Sequence, residues 1–144
     1  MTETIVVGYD GSASAERAME FAVARAKAQN ASLTVAHVLE WSPYTFLTPE
    51  EIEERHARRT DELKRAESTV VAPLLEKLSG QGIKASAEIK YGHIAETICK
   101  IAEDSNAGEV VIGRTGHSSL SARIFGSVAG TLAQASPVPV TIVP

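Results

Sequence analysis

Apolar and polar positions along this chain switch between two periods. Thr4-Ile5-Val6-Val7-Gly8-Tyr9 is a β-branched run that predicts a first strand, broken by Asp10-Gly11-Ser12. Ala15, Ala18, Met19, Ala22, Val23 and Ala26 then recur at helical spacing, with Ser12 or Ser14 as the cap. Ala31 to Leu39 reads as a second buried strand, followed by a loop carrying Trp41, Pro43, Tyr44 and Phe46. Thr48-Pro49-Glu50-Glu51 is a helix start: Thr48 caps, Pro49 suits the first helical position and Glu51 completes a capping box. Apolar spacing at Leu63, Val70, Leu74 and Leu78 carries that helix to about Ser79, and Pro73 inside it predicts a kink or break. Gly80-Gln81-Gly82 ends it. Ile83 to Tyr91 alternates as a third strand, and Gly92 punctuates it. A helix over Ile94 to Glu103 places Ile94, Ile98 and Ile101 on one face. Glu109-Val110-Val111-Ile112 is a fourth strand. A last helix carries Leu120, Ile124, Phe125, Val128, Ala129 and Leu132, and Pro137 to Val143 forms a final strand.

Strands alternating with helices imply an α/β fold with a parallel sheet covered on both faces. At 144 residues, with no internal repeat, low-complexity stretch or linker, the expectation is one domain over residues 1–144. Such sheets bind ligands beyond the C-terminal strand ends, where the strand order reverses. If strands one and four are neighbours, that crevice lies between Asp10 and Gly113.

A formal net charge of −4 gives no electrostatic footprint for nucleic acid or for an anionic membrane. The apolar runs are too short to span a bilayer. Met-Thr-Glu-Thr lacks a basic leader and runs directly into a strand, so no signal peptide is expected. One cysteine, Cys99, excludes an internal disulfide and suits a reducing compartment, so the expected location is the cytoplasm. Charge crowds the first half of the long helix, with Glu51/Arg55, Glu54/Arg58 and Asp61/Arg65 at i,i+4 spacing, and this reads as a solvated face.

The chemistry concentrates in Gly113-Arg114-Thr115-Gly116, nine residues, then Gly126-Ser127. Two glycines sit where a strand ends, and a Gly-Ser pair sits near a helix. Glycine lets the backbone turn sharply and approach a ligand, and N–H groups in such a loop or at a helix start attract anions. Close helix packing is the plainer reason for Gly126 or Gly130, and a turn with a cap is the plainer reason for Asp10-Gly11-Ser12. Asp10 repels phosphate directly and makes sense there only by holding Mg²⁺ or a ribose hydroxyl. Arg114 faces solvent, phosphate or an acidic neighbour. His117 is either a phosphate contact or simply exposed. His37 reads as packed and hydrogen-bonded, His93 as a helix start and Cys99 as a small buried side chain; no two histidines have zinc-ligand spacing. The aromatic loop at Trp41, Tyr44 and Phe46 is a lid, a partner surface or an anchor for the long helix. There is no Walker A motif, no Gly-x-Gly-x-x-Gly after the first strand and no Gly-x-Ser-x-Gly elbow. Nor does a catalytic base or cationic cluster stand out for fast phosphoryl transfer.

Three segments together resemble the universal stress proteins over essentially the whole chain: Val6-Val7-Gly8-Tyr9-Asp10-Gly11-Ser12, Val35-Ala36-His37-Val38, and the Gly113–Ser127 motif, with Tyr91-Gly92 also fitting. The motif spacing is similar to that of the family's ATP-binding subclass. The resemblance implies a Rossmann-like, adenine nucleotide alpha hydrolase-like sheet of five strands in the order 3-2-1-4-5. It implies that Gly8 and Asp10 border the nucleotide and that the Val38 backbone reads the adenine edge. Gly113, Arg114 and Gly116 would line ribose and phosphates, and Gly126, Ser127 and Val128 would close over the phosphates. It further implies a stress-response regulator holding ATP, ADP or AMP, with Mg²⁺ possible at Asp10, acting through shape or an unidentified regulatory protein partner. A homodimer through the C-terminal strand, residues 138–143, is implied too, although Pro139 and Pro144 limit its ladder. The alternatives are a slow ATPase or autophosphorylating protein, with Ser118, Ser119, Ser121 or Ser127 as acceptors, and a structural dimer that binds no nucleotide.

Overall fold

Five strands form one parallel sheet: β1 (Thr4–Gly8), β2 (Ser32–Glu40), β3 (Ala85–Gly92), β4 (Glu109–Gly113) and β5 (Val140–Val143), in the order β3-β2-β1-β4-β5. The computed structural model describes residues 3–40, 48–116 and 127–144. Helices α1 (Ala13–Gln29), α2 (Pro49–Ala66), α3 (Ala72–Gly80), α4 (Ile94–Asp104) and α5 (Ser127–Ala135) connect the strands. The order is the one the resemblance implied: β2 and β3 extend from β1 on one side, and after β3 the chain crosses back to place β4 beside β1 and β5 beyond it.

Residue alternation divides the core in two. Ile5, Val7, Leu33, Val35 and Val111 face α1 and α3, where they meet Ala18, Met19, Ala22, Leu74 and Leu78. Val6, Ala36 and Val110 face α4 and α5, where they meet Ile98, Ile101, Ala102 and Leu132. A strand buried on both faces needs apolar residues at successive positions, which is why β1 and β4 read as unbroken apolar runs. The alanines at 15, 18, 22 and 26 give α1 a small-residue face that lies close to the sheet.

The caps fall where the sequence put them. Ser12 rather than Ser14 caps α1, accepting the Ala15 N–H at 3.1 Å, and Thr48 caps α2, accepting the Glu51 N–H at 3.2 Å. His93 stands at the N-cap position of α4. The α-helical pattern is interrupted just before Pro73: the chain passes from α2 through one π-helical turn, Glu67–Val71, into α3 with no loop between them. The Ala72 N–H reaches back to the Glu67 carbonyl, five residues away. The wider turn relieves the clash that the proline ring would otherwise make with the preceding turn. The third strand also begins later than expected, at Ala85, because Gly82 (φ 76°) turns the chain and Ile83 closes the helix end, its N–H on the Leu78 carbonyl at 3.0 Å. The last strand begins at Val140, after a turn in which the Ser136 hydroxyl bonds both the N–H and the carbonyl of Val138.

Helix α2 is exposed over most of its length, and Ala66 is its one buried residue. Ile52 stands 46% exposed. Its attachment to the sheet is polar and aromatic: Glu62 accepts the Tyr91 hydroxyl, and the Arg59 guanidinium lies 5.2 Å from the Tyr91 ring centre. The expected solvated, charge-laced face is present. Among the described residues no helix is long and apolar enough to cross a membrane.

Candidate functional site

Every helix that follows a strand in a parallel sheet starts at the sheet's C-terminal edge. Here α1, α4 and α5 begin around a cavity of about 550 Å³, between the ends of β1 and β4. That is the place where strand order reverses. One wall is apolar, built from Ala36, Val38, Ile94, Ile98, Ile112 and Val128. The lining also carries Asp10, Ser12, His37, Thr115, Gly116 and Ser127 around its rim. The helix starts bring the positive ends of their dipoles to a chain whose net charge is negative.

Of the ten residues that the sequence reading assigned to a nucleotide, Gly8, Asp10, Val38, Gly113, Gly116, Ser127 and Val128 line this one cavity. Arg114 does not; it is exposed, and its backbone N–H bonds the Val143 carbonyl at 2.8 Å. His117 and Gly126 lie outside the described residues, as do the aromatic loop residues Trp41, Tyr44 and Phe46 and the candidate acceptors Ser118, Ser119 and Ser121.

Asp10-Gly11-Ser12 is the turn and cap that its composition suggests. Asp10 Oδ1 accepts the Ser12 N–H at 2.9 Å, Gly11 takes φ 81°, and the Ser12 hydroxyl then caps α1. The same turn holds the Asp10 carboxylate at the cavity rim, so the structural role leaves this side chain in the lining. A Cβ on Gly116 would lie 3.8 Å from Asp10 Oδ2, an ordinary contact, which puts these two residues face to face across the rim. Gly113 is different: a Cβ there would sit 2.3 Å from Ser14 Oγ and 2.8 Å from the Ser14 carbonyl oxygen. Its absent side chain lets β4 touch the first turn of α1. A Cβ on Gly8 would meet the Ile112 methyl at 2.5 Å.

His37 is 9% exposed, and its Nδ1 lies 2.7 Å from the Tyr9 carbonyl oxygen. It is packed and hydrogen-bonded, as expected, and it also lines the cavity. Tyr9 is held at its far end as well, its hydroxyl donating to Glu16. Burial pushes the Tyr9 phenol up to about 12, and the hydrogen bond to Glu16 and the charges of Glu16 and Asp10 act in the same direction. Cys99 is half-buried rather than buried; burial first, then the charges of Glu103 and Glu96, push its thiol upward, away from the reactive thiolate. Among the described residues no three His, Cys, Asp or Glu side chains gather as a metal cage.

Three residues of the apolar wall are absent from the site that the sequence predicts: the pattern gives Ile94 and Ile98 only as one helical face and Ile112 only as part of a strand. The available signal was position: each sits in the first turns of a helix, or the last residues of a strand, at the C-terminal edge.

Comparison with known proteins agrees with this architecture. A universal stress protein of Thermus aquaticus is 31% identical over 99% of both chains. The solved structure of the protein MJ0577 superposes with a TM-score of 0.82 at 25% identity, covering 99% of this chain and 96% of that one. A universal stress protein of Archaeoglobus fulgidus, solved in complex with dAMP, shares the fold with a TM-score of 0.66 at 21% identity, covering 99% of this chain and 98% of that one. The model of the Universal stress protein family matches residues 1–144, and the chain belongs to that family.

Proposed function

We propose that this protein is one domain that binds an adenine nucleotide, ATP foremost, in the cavity between β1 and β4, and regulates a stress response through nucleotide-dependent shape or partner binding in the cytoplasm. The observation that carries this reading is one cavity whose lining combines apolar side chains with polar groups and three helix starts. A purine ring suits the slot between Val38, Ile98 and Ile112. Phosphates suit the rim, where Gly116 and the first turn of α5 at Ser127 offer backbone N–H groups. About 550 Å³ lies within the usual range of small-molecule sites. The A. fulgidus relative that holds dAMP shares the fold, and the case for adenine in this chain rests on its own cavity residues.

Asp10 is the one carboxylate in the described lining. A single carboxylate suits Mg²⁺ shared with phosphate oxygens and water, not an all-protein cage. Bound Mg²⁺ would offset charge between Asp10 and the phosphates. We further propose that β5, an edge strand with β4 on one side only, pairs with a second copy to make a homodimer.

The test is the nucleotide content of purified protein, read by anion-exchange chromatography after denaturation. About one adenine nucleotide per chain is expected, one for the cavity between β1 and β4. Protein that carries none and also fails to bind added ATP overturns the reading. The ratio of ATP to ADP and AMP recovered, with intact mass after ATP incubation, separates holding from hydrolysis and from phosphorylation at Ser127. Sedimentation at micromolar concentration tests the dimer; a monomer there removes it.

A further inference from the structure

The ladder between β1 and β2 stops one rung early, and a side chain stops it. In a parallel ladder, a residue that bonds across uses its N–H toward one partner and its carbonyl toward the residue two further on. The Tyr9 N–H donates to the Ala36 carbonyl at 3.0 Å. The next rung would run from the Val38 N–H to the Tyr9 carbonyl. The register ends instead at Gly8↔Ala36, and His37 Nδ1 holds that carbonyl at 2.7 Å. A carbonyl only accepts, so Nδ1 carries the proton and donates.

β2 does not leave the sheet at this point. Val38, Leu39 and Glu40 continue to pair with Lys90, Tyr91 and Gly92 of β3. So β1 peels away while β2 runs on, and β2 presents a backbone edge on the side that β1 has vacated. Ala36 and Val38 are two residues apart and turn their N–H and carbonyl groups the same way, toward β1. Val38 lines the cavity. Its donor and acceptor, side by side on one residue, match the N1 acceptor and N6 donor of adenine and mismatch a purine that carries a 6-oxo group.

We propose that His37 is a positioning residue of the nucleotide site: by taking the Tyr9 carbonyl it keeps the β1–β2 ladder open at Val38, so that the Val38 edge faces a base. The inference rests on the adenine-nucleotide reading above. Tyr9 is clamped at three points, its N–H by Ala36, its carbonyl by His37 and its hydroxyl by Glu16. The clamp also sets the start of the Asp10 turn, whose first bond is the Ser12 N–H on Asp10 Oδ1. An apolar residue at position 37 fills the space but leaves the Tyr9 carbonyl without the imidazole. The nearest donor is then the Val38 N–H, and the ladder closes over the base-reading edge. A half-buried carbonyl without a partner is costly enough to drive that closure.

Three variants test this. His37→Leu removes the donor. His37→Gln is polar but carries its amide nitrogen one bond too far along. His37→Asn places an amide nitrogen close to the position of Nδ1. Loss of one or two hydrogen bonds to the base predicts about tenfold weaker ATP binding in H37L and H37Q. The preference for ATP over ITP should fall toward one in both, while affinity for inorganic tripolyphosphate holds. H37N should recover most of the affinity and the preference. Amide exchange by NMR on ligand-free protein gives an independent readout: the Val38 N–H exchanges readily in the wild type and H37N and becomes protected in H37L and H37Q. Wild-type ATP affinity and ATP/ITP preference in both H37L and H37Q overturn the proposal, as does a Val38 amide equally protected in all four proteins. A wild type that binds no adenine nucleotide defeats the functional reading instead, and the exchange comparison still decides whether His37 holds the ladder open.

Discussion

Gly113 touches Ser14. A methyl group on Gly113 would stand 2.3 Å from the Ser14 hydroxyl and 2.8 Å from its carbonyl oxygen, so the first glycine of the Gly113–Ser127 motif is a contact between β4 and α1 before it is anything else. The hydroxyl of Ser14 in turn accepts the Thr115 N–H at 3.3 Å, which helps fix the loop that leaves β4. Packing therefore fixes a residue that also lines the cavity.

Gly113→Ala should destabilise the fold by roughly 1–3 kcal/mol, the usual cost of overpacking a filled site. Trimming the neighbour as well, in G113A/S14A, should return only part of that loss, because the carbonyl of Ser14 remains in the way. Gly8→Ala meets the mobile end of Ile112 rather than backbone. It should cost less stability than G113A, yet push Ile112 into the cavity and weaken nucleotide binding. Urea midpoints rank the variants; a G113A protein as stable as wild type refutes the contact.

Much of this fold was legible in the chain because its strands are β-branched runs and its helices start at Ser12 and Thr48, residues whose side chains cap by local geometry. The co-location of Asp10 and Gly113 was legible too, since one follows β1 and the other ends β4 at one sheet edge, whereas Val38 lies two residues inside the end of β2 and came only with the resemblance. The π turn before Pro73 was not. Proline removes a hydrogen bond and crowds the preceding turn, and sequence alone does not say whether the chain breaks or widens. Nor could the pattern separate core from cavity wall at Ile94 and Ile98, because one apolar stripe serves both. The partners of Gly113 and His37 are residues distant in sequence, so spacing holds no trace of them.

Arg25 grips Glu109 with Nε on Oε1 at 3.1 Å and Nη2 on Oε2 at 3.2 Å, and Thr141 donates to the same carboxylate. Glu109 is 7% exposed, so these partners replace the water its carboxylate gives up on burial. Arg25→Met strands that carboxylate and should cost about 1–3 kcal/mol, tempered by the partial exposure of the arginine. The R25M/E109M pair should lose less than R25M alone, because no charge is left buried. A double-mutant cycle by chemical denaturation reads the sign; R25M with unchanged stability shows that Thr141 and water suffice for Glu109.

Asp10 has one observed role and one proposed for it, and a single substitution separates them. Its Oδ1 accepts the Ser12 N–H, and its charge faces the rim. Asp10→Asn keeps an oxygen acceptor for the turn and loses the charge; Asp10→Ala loses both. The expected result is near-wild-type stability in D10N, a loss of about 1 kcal/mol in D10A from the weakened entry to α1, and an altered Mg²⁺ dependence of ATP binding in both. Calorimetric titration with and without Mg²⁺ checks it. Unchanged Mg²⁺ dependence in D10N removes Asp10 from any cation site.

Two phenols ionise late. Burial leads in both cases, with hydrogen bonds to carboxylates adding to it: Tyr9 with Glu16 and Tyr91 with Glu62 are each pushed from 10.0 up to about 12, the latter despite the opposing charge of Arg59. A folded-state value above the unfolded one means that the folded protein holds its proton longer. The stabilisation is therefore whole below pH 10 and is lost as pH rises from about 10 through about 12, the unfolded chain ionising first. The tyrosine share is isolated by comparison with single variants. Tyr9→Phe and Tyr91→Phe should each flatten the fall in urea midpoint over that range. Absorbance of the phenolate in native protein provides the direct check: Tyr9 and Tyr91 should ionise well after the midpoint reached in urea-unfolded chain. If each phenylalanine variant removes only signal that titrates near pH 10, neither carboxylate governs its tyrosine, and the clamp on the end of β1 is weaker than the geometry requires.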